Sequence, residues 1–308
     1  MKKVLSKITA IVSILLLLCV VAAWIILPRL VLQPVRYSRE QLRSVFPHGL
    51  EPSVYGMDYE EYDVMAADSI TLDGLLIHAV GQPRGTIIMI HGIGAYKEVF
   101  FHLAKKLSEE GYHIVLTDLR AMGQSGGEHC TYGWLEKNDI SLIAENIKSR
   151  FPDLPVVVYG TSLGGAIALQ AMANNDRIDA GIIECTYDEI QKVVRGYTAR
   201  ALGFQFDLLA DFALWRASCE ASFDASKMNP CDFARAVNQP VLIAHGDHDL
   251  HIPISWGKHN FDNLASEDKI FYEIIGASHH DLGTVGGEAY SNTVLQFLKT
   301  RLNTTKIE

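Results

Sequence analysis

The rhythm of apolar and polar positions changes three times along the 308 residues. Residues 8–27 carry no charge and are apolar almost throughout, a run closed by Pro28 and Arg29. Twenty helical residues rise about 30 Å, the thickness of a bilayer's hydrocarbon core. The run therefore predicts a spanning helix outside the globular fold. From Met57 the pattern shortens to alternation over 59–64 and again over 70–80, with a turn around Asp73-Gly74, which predicts a β-meander. Beyond Pro83 it becomes strand, loop, helix. Apolar runs at 86–90, 113–117, 155–159, 181–183, 241–244 and 270–275 have the length and β-branching of buried parallel strands. Helical patterns fill 98–109, 135–150, 162–174 and 288–302. Such alternation predicts a mostly parallel sheet with helices on both faces.

One interval breaks this rhythm. About fifty residues, 187–239, separate two strands, too many for a plain crossover. They are rich in Leu and aromatics, among them Tyr197, Phe204, Phe206, Phe212 and Trp215. Helices laid over the carboxyl edge of the sheet would stand where ligands bind in open α/β sheets. Two readings stay open: a small cap shaping an apolar pocket for a ligand, or helices that pack the core without touching substrate. The expected organisation is an N-terminal membrane anchor (1–29), a juxtamembrane linker carrying Pro34, Pro47 and Pro52 (30–56), and one α/β domain (57–308) with the cap at about 187–239. There is no internal repeat.

Charge and cysteine content narrow the picture. The formal net charge is −9; the first seven residues contribute +3 through Lys2, Lys3 and Lys7, leaving −12 for the remainder. A body that acidic repels phosphate backbones, so nucleic acid is excluded as an expected partner. Val21-Ala22-Ala23 offers a signal-peptide cleavage site, but the apolar run continues through Trp24–Leu27, which favours an uncleaved anchor. Arg29, Arg36, Arg39 and Arg43 nearly balance the lysines across the span. The short lysine-bearing tail then favours an extracytoplasmic domain. Cys219 and Cys231 are near enough in sequence to pair in an oxidising compartment, though spacing alone does not pair them. No C-x-x-C or H-E-x-x-H spacing occurs, and neither metal nor cofactor is expected.

Four short stretches carry candidate chemistry, each just past an expected strand. Gly160-Thr161-Ser162-Leu163-Gly164-Gly165 has the G-x-S-x-G pattern of a nucleophile set on a strained strand-to-helix turn. His91-Gly92-Ile93-Gly94 follows the strand at 86–90, where a hydrolase of this kind draws one oxyanion-hole amide. Ile93 and Leu163 are thus the expected backbone donors. His245-Gly246-Asp247-His248-Asp249 supplies two carboxylates able to orient an imidazole, and Gly276-Ala277-Ser278-His279-His280-Asp281 supplies two adjacent histidines of which only one can act as base. The order Ser, Asp, His is the chain order of α/β-hydrolases.

From about Met57 to the end the chain resembles the serine-aminopeptidase-like branch of the α/β-hydrolase superfamily, which includes the BEM46-like lipases and esterases. The likeness rests on the four stretches above and on Asp118-Leu119-Arg120 with Gly123-Gln124-Ser125. It implies an α/β-hydrolase fold with a catalytic triad of Ser162, Asp249 and His279. Asp249 is preferred over Asp247 because the family's acid closes an H-G-x-x-D pattern, and His279 over His280 because the family's base follows a Gly-Ala-small triplet. The family usually reads Asp-x-Arg-Gly-His-Gly where this chain has Asp118-Leu119-Arg120-Ala121-Met122-Gly123, a departure expected to reshape a loop near the pocket and to alter specificity. The implied activity is hydrolysis of a carboxylic ester in a small or lipid-like acyl substrate. Thioester or amide cleavage on the same triad is the alternative, and a tethered binding module without turnover is the alternative of another class.

Overall fold

The computed structural model describes residues 2–46 and 48–302; Pro47, one of the three linker prolines, lies outside the described residues. The uncharged run folds as α1 (Lys2–Leu32), which does not stop at Pro28 but continues past it into the domain. A proline inside a helix costs about 3 kcal/mol, and tertiary contacts offset it here. Pro28 is buried, and Val31 and Leu32 join the main hydrophobic core. The Tyr132 hydroxyl donates to the Val31 carbonyl at 2.8 Å, and the Cys130 N–H donates to that of Leu32 at 2.7 Å. The stretch expected as a linker is also packed. Its α2 (Arg39–Val45) opens on a capping box in which Ser38 and Gln41 satisfy each other's backbone N–H groups. Leu42 and Leu50 are buried, and Arg36 donates to the Ser125 carbonyl. Apolar residues scattered among polar ones at 30–56 are therefore anchors onto the domain.

The expected meander divides in two. Of β1 (Tyr59–Glu61), β2 (Val64–Met65), β3 (Thr71–Leu72) and β4 (Gly74–Ile77), the middle pair forms a separate ribbon, while β4 joins the main sheet antiparallel to its neighbours and β1 pairs antiparallel with it at the edge. The alternation then proceeds as β5 (Gly85–Ile90), α3 (Phe101–Glu109), β6 (Tyr112–Thr117), α4 (Glu136–Arg150), β7 (Val156–Thr161), α5 (Leu163–Met172) and β8 (Ala180–Glu184). The long interval holds α6 (Ile190–Leu202), α7 (Asp207–Glu220) and α8 (Pro230–Ala234). After it come β9 (Val241–Gly246), α9 (Ile254–Asn263), β10 (Lys269–Ile274) and α10 (Leu282–Leu302). Strand order is β1-β4-β6-β5-β7-β8-β9-β10, parallel from β6 to β10.

Period-two alternation divides each buried strand between two cores. In β5, Ile88 and Ile90 face the cluster shared with α4, α5 and the cap, whereas Ile87 and Met89 face that of α3 and α10. Both faces are covered, which is why these strands read as unbroken apolar runs. Non-helical Gly287 divides α10, so its long regular part starts where the sequence pattern places it. The cysteines at 19, 130, 185, 219 and 231 are all free, with Cys219 exposed and Cys231 buried.

Candidate active site

All four chemistry-bearing stretches meet at the carboxyl edge of the sheet. Ser162 stands between β7 and α5 with φ 56° and ψ −117°. Those are the angles of the first central residue of a type II′ turn, a position that glycine dominates, so a residue with a side chain is strained there. The turn is held on both sides: the Ser162 N–H donates to the Glu184 carbonyl, and the Thr186 hydroxyl donates to the Ser162 carbonyl, each at 2.8 Å. Gly164 is required by proximity, because a Cβ there would stand 2.0 Å from the Ile90 carbonyl oxygen. The start of α5 is thereby pressed against the end of β5, bringing the 91–94 loop beside Ser162.

His279, on the loop after β10, lies between the other two groups. Its Nε2 is 3.1 Å from Ser162 Oγ, and its Nδ1 is 2.6 Å from Asp249 Oδ2. The other Asp249 oxygen accepts the N–H groups of His251 and Ile252, both at 2.8 Å. Burial pushes the Asp249 carboxyl up. Hydrogen bonding from His245 and His279, the His279 charge and the Ile252 amide outweigh that and hold it below the usual carboxylate range. An ionised Asp249 keeps the proton on His279 Nδ1 and leaves the Nε2 lone pair for the serine hydroxyl. Ser162, Asp249 and His279 are 7%, 5% and 8% exposed, so water screens this relay little.

The competing residues are placed elsewhere. Asp247 Oδ1 accepts the Gly276 N–H at 2.6 Å and fastens the β9 loop to the β10 loop. His280 is exposed and meets His279 edge-on at 4.8 Å between ring centroids. Sequence reasoning gave no signal for His251, whose ring stacks on His279 at 5.4 Å. Burial, with the His279 charge next in weight, pulls the His251 and His280 pKa values down. Among the described residues, neither the Ile93 nor the Leu163 N–H finds an acceptor. The loop bearing Ile93 is fixed by fully buried His91, whose Nδ1 donates to the Gly92 carbonyl at 2.8 Å while Nε2 accepts the Leu119 N–H at 3.1 Å. Burial pushes the His91 pKa down, so the ring holds this loop as a neutral imidazole.

Ile93, Ser162 and Leu163 line a cavity of about 340 Å³. Val193, Val194 and Tyr197 of α6, Ala213 of α7, and Leu27, Leu30 and Val31 of α1 line it as well. Val193, Val194 and Ala213 also belong to the main hydrophobic core, so helices of the 187–239 interval both border the cavity and pack the core. The 118–123 departure does not reach this cavity: Met122 is fully buried, and Ala121 adopts φ 60° where the family's pattern has glycine. Asp118 holds that loop by accepting the Lys97 and Gln124 N–H groups at 2.7 and 2.8 Å. Cys185, His245 and Asp249 lie close enough to share a cation, but burial keeps Cys185 a thiol and His245 Nε2 donates to the Ile252 carbonyl.

Residues 81–203 match the serine aminopeptidase family, S33. The chain is 26% identical to protein bem46 of Schizosaccharomyces pombe, over 83% of each chain. It is 25% identical to YqkD of Bacillus subtilis, over 83% of this chain and 80% of that one. A monoacylglycerol lipase of Mycolicibacterium smegmatis is 24% identical over 65% of this chain and 82% of its own. Among solved structures, the Pyrococcus furiosus esterase Pf2001 shares the fold with a TM-score of 0.72 at 19% identity, over 88% of this chain and 98% of that one. The residues from Lys3 to Leu32 form a helix long and apolar enough to cross a membrane or to act as a signal sequence.

Proposed function

Starting from a chain that belongs to the α/β-hydrolase superfamily, we propose that it is a membrane-anchored serine esterase working through an acyl-enzyme. The unbroken relay from Ser162 Oγ through His279 to Asp249, at 3.1 and 2.6 Å, carries the reading. Ser162 Oγ attacks the acyl carbon while His279 Nε2 takes its proton. Asp249 orients the ring and stabilises the imidazolium. The developing oxyanion is received by the N–H groups of Ile93 and Leu163, each worth on the order of 100- to 1000-fold in rate. His279 then protonates the leaving alkoxide, and water releases the acyl group by the same route.

Ester cleavage is favoured over aminopeptidase action by the lining of the cavity. Among the described residues no charged side chain lines it, so a substrate's free amino group would meet no carboxylate there. An apolar wall suits an acyl chain, and the likeness to a monoacylglycerol lipase agrees with that chemistry. Retention of α1 as a single-pass anchor is supported by the burial of Val31 and Leu32 in the domain's core. The lysine-bearing tail supports a domain on the extracytoplasmic side. Ser162→Ala should abolish both p-nitrophenyl ester turnover and labelling by a fluorophosphonate. Labelling that persists in the variant would refute the assignment.

A further inference from the structure

We propose that the last turns of α1 are part of the substrate site, and that the acyl chain enters along them from the bilayer surface. The substrate is then a single-chain amphiphile drawn laterally from a membrane. This rests on Ser162 being the nucleophile and adds where the acyl chain lies. Leu27, Leu30 and Val31 stand at i, i+3 and i+4, one stripe of a helix, and that stripe borders the same cavity as Ser162. The opening of the cavity is marked by lining residues that are also open to solvent: Leu30 is 72% exposed, and Tyr197 and Leu202 of α6 are each 40% exposed. The mouth therefore lies where α1 meets the cap, at the end of the apolar run.

Contacts higher on α1 fix the level of that mouth. The Trp24 ring packs against Phe212 and Trp215 of α7, with centroids 6.1 and 6.0 Å away, and the Arg216 guanidinium lies 4.9 Å above it. Trp24 stands three residues inside Leu27, about 4.5 Å along the helix axis. If residues 8–27 fill the hydrocarbon core, α7 must then sit at the interface. The chain joining α6 to α7 presents Phe204 and Phe206, with rings stacked at 6.4 Å, and neighbouring Leu208 is 74% exposed. Aromatic and leucine side chains facing outward beside a spanning helix are the composition of a surface that beds into headgroups. Continuity with α1 selects a bilayer as their occupant. A cavity near the lower end of the usual ligand range accommodates one chain beside Ser162, not two.

The test uses the full chain reconstituted in phosphatidylcholine vesicles. Leu30→Trp narrows the mouth, whereas Leu16→Trp adds the same bulk on the same helix far from it. The kcat/KM ratio for p-nitrophenyl laurate over butyrate should fall about tenfold in Leu30→Trp and stay at the parent value in Leu16→Trp. An unchanged ratio in Leu30→Trp would overturn the wall. For entry, Leu208→Asp should lower turnover of vesicle-embedded monolauroylglycerol relative to dissolved butyrate ester by about tenfold. An unchanged ratio there would overturn lateral access. Failure of the nucleophile reading is separately visible, because Ser162→Ala would then retain turnover and fluorophosphonate labelling.

Discussion

Replacing Ser162 by glycine should raise stability relative to replacing it by alanine, although both variants lose the proposed nucleophile. Each change removes the hydroxyl and its 3.1 Å bond to His279, so that loss cancels in the comparison. What differs is the Cβ, held at φ 56°, ψ −117°. A backbone forced into such a region stores on the order of 1–3 kcal/mol, and glycine returns about 0.5–1 kcal/mol of that as extra unfolded-state entropy. The alanine methyl faces the cavity, so little packing is given up. The balance is about 1 kcal/mol in favour of glycine, or roughly 2–4 °C in melting temperature for a domain of this size. Thermal unfolding of the two variants, followed side by side by circular dichroism in the same detergent, measures it. Should Ser162→Gly melt at or below Ser162→Ala, the turn is not strained and this account of how the nucleophile is presented is wrong.

The remaining predictions concern the acid and the glycine behind the turn. Asp249→Asn should lower kcat by about four orders of magnitude, and Asp247→Asn by no more than about threefold, since an amide oxygen still accepts the Gly276 N–H; comparable losses in the two would reverse the assignment. Because the folded Asp249 pKa lies below its unfolded value, the ionised carboxylate stabilises the fold above the ordinary carboxylate range and loses that effect as pH falls. The parent should therefore lose melting temperature more steeply than Asp249→Asn below about pH 4, and parallel curves would show that this carboxyl is not depressed. Gly164→Ala drives a Cβ into the Ile90 carbonyl and should cost about 3 kcal/mol or more, seen as a melting temperature at least about 6 °C lower.

Much of this arrangement was legible in the residue pattern, for physical reasons that also explain what was not. The inner parallel strands announce themselves because both faces are covered, which demands unbroken apolar runs such as 86–90 and 241–244, whereas edge strand β10 is only half-buried. The choice of Asp249 over Asp247 came from family likeness, since the two aspartates look alike in the sequence; only coordinates show that one faces an imidazole and the other an amide. The role of α1 was illegible for another reason. A helix apolar on every side satisfies the bilayer criterion whatever it touches, so nothing in 8–32 marks Leu27, Leu30 and Val31 as cavity lining. Pro28 pointed toward a helix end, and the burial of its neighbours reversed that. The 118–123 departure suggested an altered loop near the pocket, whereas none of its residues lines the cavity and Asp118 holds the loop through the Lys97 and Gln124 N–H groups.

The junction between α1 and the domain has no swivel. Leu32 is stapled to Cys130 by a backbone bond, Val31 to Tyr132, and Trp24 is wedged against two rings of α7. A globular head on a slack leash would tumble and sweep a hemisphere; this one keeps a single heading relative to its stalk. With α1 as the proposed anchor, these contacts would turn the same flank of the head toward the bilayer.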